Sequence, residues 1–231
     1  MARRYDAPVI VHPAEWTEIE ACRDDSWRSQ RSRQLHEWGV PRQQARAMLG
    51  LPHLLPDWRD VKLLLVTDGE PLPFSNERFR VVGVPGHTAG SLALLAAADS
   101  LLLSGDHLLA HRHVGVGIGA DSGIDPLGDQ LASLERLRQI GPAVIAPGHG
   151  SPFTGVEDRI TSERAHLLRR LAEVRSSLDR APMLSLWERA ATLTWRRPWA
   201  ELDSRYRRIA LTQLAHFVSH SDSLNEGVTS A

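Results

Sequence analysis

Apolar residues recur along this chain in two rhythms. Short runs bounded by Gly, Pro or Asp have the pattern of buried strands: Val9 to His12, Val61 to Val66, Phe79 to Val84, Leu92 to Ala98, Leu101 to Leu103 and Ala143 to Ala146. Asp68-Gly69 reads as the turn that joins the second of these to the third, which makes them neighbours in one continuous sheet. Residues 1–8 read as the end of a helix followed by a turn. The other rhythm is helical. Residues 15–58 carry it, rich in Arg and in Trp (Trp16, Trp27, Trp38, Trp58) and interrupted at Gly39-Val40-Pro41. Leu131, Leu134, Leu137 and Ile140 share a face of a helix from Asp129 to Ile140, which Gly141-Pro142 stops. A long helix from Val156 to Arg180 follows, with Ile160, Leu167, Leu168, Leu171 and Val174 on one side. Pro182 breaks it, and Leu184 to Leu193 and Glu201 to His220 form two more, with Trp187, Trp195 and Trp199 filling a small core. The pattern predicts an α+β chain whose last part is all helical.

Composition narrows the function. The chain has 231 residues, 42% hydrophobic and 24% charged, with a net charge of −1, which suits a globular protein of one or two domains. No apolar run reaches the ~18 residues of a membrane span, and the N-terminus lacks the apolar core of a signal peptide, so no membrane role and a cytoplasmic location are expected. The single Cys22 excludes an internal disulfide and a Cys-based zinc cluster, which leaves His and carboxylates as metal ligands. Near-neutral charge argues against a protein built mainly to hold nucleic acid. From Val156 onward twelve Arg stand against ten acidic residues, so those helix faces read as solvated.

The candidate chemistry sits where strands end. Arg80-Val-Val-Gly-Val-Pro-Gly-His87-Thr-Ala-Gly-Ser91 takes an apolar strand into a Gly-flanked turn holding one His. Leu101-Leu-Leu-Ser-Gly-Asp106-His107 and Ala143-Val-Ile-Ala-Pro-Gly-His149-Gly150 repeat the design. One such His is weak evidence, whereas three strand-end loops offering His87, Asp106 and His149 in order make a metal site. Thr88 and Ser91 are placed to orient the His87 ring or its loop. His107 falls on the opposite strand face from Asp106 and reads as structural. His111-Arg112-His113 has no Asp-His after it and reads as a loop beside the site.

The series P-G-H-T-x-G-S, S-G-D and P-G-H-G resembles the second half of the metallo-β-lactamase-fold hydrolases over roughly Val61 to Gly155. The resemblance implies an α+β fold, an incomplete metallo-β-lactamase αβ/βα sandwich over residues 1–155. A helical, winged-helix-like C-terminal domain over 156–231 resembles that of the subgroup with glyoxalase II and the β-lactamase-like-2 proteins. By the same resemblance His87 serves one metal ion, Asp106 bridges two, and His149 serves the second. Zinc is the expected metal, two ions in a complete site, and manganese or iron suits the same ligands. The family's other motif, H-x-H-x-D-H, holds the remaining ligands and the Asp-His pair on which a general base would depend. This sequence does not contain it. No catalytic residue is therefore assigned, and the chain is expected to be truncated upstream, to bind metal weakly and to hydrolyse little.

The implied activity is hydrolysis of a small ester or thioester of the hydroxyacylglutathione kind, with a small-molecule substrate and water as partners. The alternatives are an endoribonuclease of the same fold, which would need the Arg residues of the 23–46 helices and the tail to line a channel, and a non-catalytic binding or homodimerisation module. The Trp-rich helices either overhang the metal site or pack onto the sheet.

Overall fold

The computed structural model describes residues 7–21, 25–49, 61–73, 75–76, 78–96, 100–119 and 123–229. The expectations for residues 1–6 and for Trp58 lie outside the described residues. The chain divides into two compact units, one of residues 1–19 and 55–166 and one of residues 20–54 and 167–231.

The first unit is built on strands. β1 (Val9–Val11) pairs in parallel with β2 (Leu63–Leu65), and a separate four-stranded sheet has the order β3 (Phe79–Gly83), β4 (Leu92–Ala96), β5 (Leu101–Gly105), β6 (Val144–Pro147). β3 and β4 are antiparallel, β4 and β5 antiparallel, β5 and β6 parallel. β3, β5 and β6 therefore run the same way, and the loops that leave their carboxyl ends emerge at one edge of the sheet. Those are the loops of His87, Asp106 and His149. Alternation buries Ala93 and Leu95 of β4 and Leu102 and Ser104 of β5.

Three helices belong to this unit in whole or part, the third only by its residues 156–166. Helix α1 (Pro13–Ala21) starts where the His12 ring nitrogen Nδ1 accepts from Ala14 N–H at 3.1 Å. The crossover from β5 to β6 is α4 (Pro126–Ile140), which begins three residues earlier than its apolar spacing suggests because Asp125 caps it, accepting from Gly128 N–H, and Pro126 fits its first turn. Its buried face is Leu127, Gln130, Leu134 and Leu137. Three of its side chains reach the strand ends: Ser133 donates to Pro85 O at 2.8 Å, Arg136 to Gly83 O at 3.1 Å, and Gln130 to His107 O at 3.2 Å. The helix thereby ties down the backbone on which the loops depend.

One expectation is corrected. β2 and β3 are not hairpin neighbours in a continuous sheet. Residues 69–72 pair with β3 instead, through Val81 N–H to Glu70 O at 2.8 Å and Leu72 N–H to Phe79 O at 2.8 Å, while Val66 N–H turns to Val11 O at 3.1 Å. Asp68-Gly69 is a turn, as its sequence predicts, with Glu70 N–H donating to Thr67 O at 3.4 Å, but it leads into residues 69–72 rather than directly into β3. The Asp68 Oδ1 also accepts from Gly83 N–H at 2.8 Å and from Arg136 at 2.8 Å, which braces the exit of β3.

The regular structure of the second unit, among its described residues, is helical: α2 (Asp25–Glu37), α3 (Arg42–Leu49), the part of α5 (Val156–Arg180) beyond His166, α6 (Leu186–Thr192), a 3-10 turn (Trp199–Glu201) and α7 (Ser204–Thr229). No strand that could form a wing occurs among its described residues. Helices α2 and α3 share this unit, where Trp38 is buried and its carbonyl accepts from Trp187 N–H at 2.9 Å. Trp38 thus packs among helices. Trp187 and Trp199 meet edge to face at 5.1 Å, and Arg170 covers Trp195 at 4.2 Å. Ile160, Leu167, Leu171 and Val174 of α5 are buried as their spacing predicts, but Leu168 is exposed.

Candidate functional site

The His87 loop is closed by its own backbone and braced from three sides. Val84 N–H donates to Ser91 O at 2.9 Å and Gly86 N–H to Thr88 O at 3.1 Å. Gly86 has φ +134, and a Cβ there would stand 2.5 Å from the Gln130 Cα, so the loop can lie against α4 only with glycine at this position. At the other end Gly90 N–H donates to the Glu15 carboxylate at 3.1 Å. Thr88 and Ser91 bond to each other, Oγ1 to Oγ at 2.8 Å, and Ser91 Oγ accepts from Thr88 N–H at 3.1 Å. Both shape the loop. The ring itself is held elsewhere: Nδ1 lies 2.7 Å from Gly115 O. A carbonyl only accepts, so Nδ1 carries the proton and Nε2 keeps the lone pair that a metal requires.

Asp106 and His149 meet because β5 and β6 are parallel and in register. Leu103 opposes Ala146 and Gly105 opposes Pro147 across a small irregularity, and Gly148 N–H donates to Gly105 O at 2.7 Å. A Cβ on Gly148 would stand 2.7 Å from Asp106 Oδ1, so this close approach also requires glycine. His149 Nε2 lies 3.4 Å from Asp106 Oδ2. The two partners differ in environment, with the His149 side chain 77% exposed and that of Asp106 36%. Asp106 Oδ1 is buried and has no hydrogen-bond partner.

That buried oxygen is the test of fit for a metal. An unpaired buried carboxylate oxygen is costly unless a proton or a cation meets it. The other oxygen of the same carboxylate, Oδ2, lies 3.4 Å from the His149 imidazole nitrogen, and the donor set of carboxylate oxygen and imidazole suits zinc, manganese or iron. The fit is partial, because among the described residues no group of three or more His, Cys, Asp or Glu side chains comes together to hold an ion. Asp106 and His149 are brought together, and His87 stands on the neighbouring loop with its ring already oriented.

His107 lies inside. It is 1% exposed, neither ring nitrogen has a hydrogen-bond partner, and burial, with a smaller electrostatic contribution from the nearby His87 ring, pushes its pKa down to about 3. It is neutral at physiological pH. His111, Arg112 and His113 lie in the loop after Asp106, where His113 Nδ1 bonds the buried Glu163 carboxylate at 2.7 Å. Sequence reasoning missed Gly115, Gln130 and Glu163. A backbone carbonyl leaves no trace in a sequence, and Gln130 and Glu163 look like ordinary polar positions of helices. The spacing of Arg159, Glu163 and His166, one helix face at i, i+4 and i+7, was the available signal.

The model of the metallo-beta-lactamase superfamily matches residues 1–149. A probable metallo-hydrolase, YqjP, of Bacillus subtilis (strain 168) is 34% identical over 111 residues, 46% of this chain and 35% of its own length. An atrochrysone carboxyl ACP thioesterase of Emericella nidulans is 27% identical over 115 residues, 50% of this chain and 35% of its own length. The chain thus spans about a third of the length of these curated relatives. A metallo-beta-lactamase family protein of Thermus thermophilus superposes with a TM-score of 0.72 at 25% identity, covering 95% of this chain and 67% of that one. With the family match extending over well over half of its residues and the strand-end loops of that fold in place, the chain belongs to the metallo-beta-lactamase superfamily, whose members are hydrolases.

Proposed function

We propose that His87, Asp106 and His149 are part of a dinuclear metal site, zinc by default, and that the reaction is hydrolysis of a small ester or thioester. The observation that carries this reading is the Asp106–His149 approach at 3.4 Å beside a buried carboxylate oxygen with no partner. When bound, such ions supply a hydroxide at neutral pH and polarise the scissile group. The chain's own residues have simpler tasks. His87 presents Nε2 because Nδ1 is committed to Gly115 O, and Asp106 offers two oxygens, one inward and one toward His149. Gly148 lets the His149 backbone come close enough to share that carboxylate.

These three residues give each ion two protein ligands with one shared, whereas a catalytic zinc takes three or more. The 231-residue chain should therefore bind metal weakly. Joined to a segment carrying H-x-H-x-D-H, it should bind tightly and hydrolyse. The thioester preference is supported by the relatives named thioesterases, with which this chain shares about a quarter of the aligned residues. The experiment is a substrate panel on the motif-bearing version: a glutathione thioester, an acyl-carrier thioester, a simple ester, a β-lactam and a single-stranded RNA. Thioester turnover that disappears in Asp106→Ala supports the proposal. Turnover of RNA alone, or thioester turnover unaffected by Asp106→Ala, overturns it.

A further inference from the structure

We propose that Glu163, on helix α5, is a positioning residue for His87: it anchors the loop whose Gly115 carbonyl fixes the tautomer and direction of that ring. The inference rests on His87 being a metal ligand for its consequence, but its geometry stands without a metal.

The loop after Asp106 has no regular structure from residue 107 to 119, and Gly115, Gly117 and Gly119 alternate in it. Such a segment is entropically expensive to hold in one place. It is nevertheless fixed at both ends. On the site side, Gly117 N–H donates to Gly86 O at 2.8 Å and Ile118 N–H to His87 O at 2.9 Å, so the loop runs beside the His87 turn like a strand. On the other side stands one carboxylate. Glu163, with a fully buried side chain, accepts from Val114 N–H at 3.0 Å and from His113 Nδ1 at 2.7 Å, and is paired with Arg159 at 2.5 Å. Arg159 extends the clamp by donating to Leu109 O and Arg112 O, both at 2.6 Å. His113 is held flat against His166 of the same helix, with ring centroids 3.7 Å apart and planes 3° from parallel.

Gly115 is thus one peptide unit from the anchor at Val114 and two residues from the anchor at Gly117. Its carbonyl has little freedom, and His87 Nδ1 meets it at 2.7 Å. A histidine ligand works only when the proton sits on the other nitrogen, so what holds the acceptor holds the ligand. Glu163 touches neither substrate nor metal and acts through the backbone of residues 114–115. Among the described residues no other carboxylate is fully buried.

The test is the tautomer of His87, read by long-range proton–nitrogen correlation in the metal-free 231-residue chain labelled with nitrogen-15. The wild type should show Nδ1–H. Glu163→Gln replaces an acceptor oxygen with an amide that faces the donors of His113 and Arg159, so His87 should lose its tautomer preference. The Gly117 and Ile118 amides should then exchange with solvent at least ~10-fold faster. Glu163→Asp, which keeps a carboxylate, should recover part of both signals. Leu137→Ala, a core change in α4, loosens the fold without touching the clamp and should leave the tautomer alone. If Glu163→Gln does not fold, Arg159→Lys reads the same signals, since it keeps a cation beside Glu163 while releasing the carbonyls of Leu109 and Arg112. A wild-type His87 in the Nε2–H form, or an unchanged tautomer and unchanged exchange in whichever clamp variant folds, overturns the proposal. Zinc titration of the motif-bearing version separates the two readings, because a fixed tautomer with no zinc uptake would sink the metal site and leave the clamp standing.

Discussion

The loops of His87 and His149 have the same sequence design and different physical states. The His87 ring is half-buried, bonded to Gly115 O at 2.7 Å, and its loop is stitched to α1, α4 and the 115–118 segment. The His149 side chain is 77% exposed and approaches Asp106 at 3.4 Å. One ring is preorganised by protein, and the other stands at the surface beside a carboxylate whose second oxygen has no partner. The difference teaches that a strand-end Pro-Gly-His places an imidazole but does not fix it. What fixes it is the second layer, a carbonyl in one loop and, by the present proposal, a metal ion in the other.

Glycine replacements test that contrast most severely. Gly86→Ala meets both a disallowed φ of +134 and the Gln130 backbone at 2.5 Å. It should cost roughly 4 kcal/mol, combining backbone strain with overpacking, and thermal or urea unfolding checks it. Gly148→Ala drives a methyl group to 2.7 Å from Asp106 Oδ1. In the motif-bearing version it should weaken zinc binding on the order of 10–100-fold, the scale of a displaced ligand support, measured by competition with a chelator. Gly150→Ala has an equally unusual φ of +92 but nothing within 4 Å, so about 1 kcal/mol of backbone strain is all it should cost. Should Gly86→Ala and Gly150→Ala prove equally mild, the two loops are equally free and the contrast fails.

The smallest expected effect concerns the brace on β3. Burial acts to raise the Asp68 pKa, but the hydrogen bonds from Arg136 and Gly83 N–H, with the nearby charges of Arg136 and Arg80, outweigh it and hold the carboxyl below its ordinary value of 3.8. A folded pKa below the unfolded one means that the stabilisation is complete above the unfolded value and fades as pH falls through the folded pKa. Asp68→Asn should therefore cost roughly 0.5 kcal/mol near neutrality, as for a half-exposed ion pair, and the cost should vanish in strong acid. A pH series of urea midpoints shows this, and a cost that grows on acidification would contradict it.

Much of this was legible in the sequence because strand ends carry their own punctuation. Gly105-Asp106 and Pro147-Gly148-His149 mark where β5 and β6 stop, and parallel pairing does the rest. The pairing of β2 was not legible, since Asp68-Gly69 is turn chemistry wherever it occurs, and only the fold shows that the Asp68 carboxylate is engaged by Gly83 N–H and Arg136. Glu163 was hidden for a related reason. On a helix as rich in Arg and Glu as α5 a buried carboxylate has the same local pattern as a solvated one, and its three donors come largely from a loop about fifty residues away. Leu168 shows the converse, an apolar residue at a plausible core position that stays exposed at 43%.

The most direct measurement is zinc stoichiometry by elemental analysis of three purified proteins: the 231-residue chain, the same chain joined to an H-x-H-x-D-H segment, and that joined form carrying Asp106→Ala. The prediction is little bound metal in the first, about two ions in the second, as a dinuclear hydrolase site requires, and a clear loss in the third. Tight stoichiometric zinc in the first, no zinc in the second, or equal zinc in the second and third would contradict the assignment of His87, Asp106 and His149.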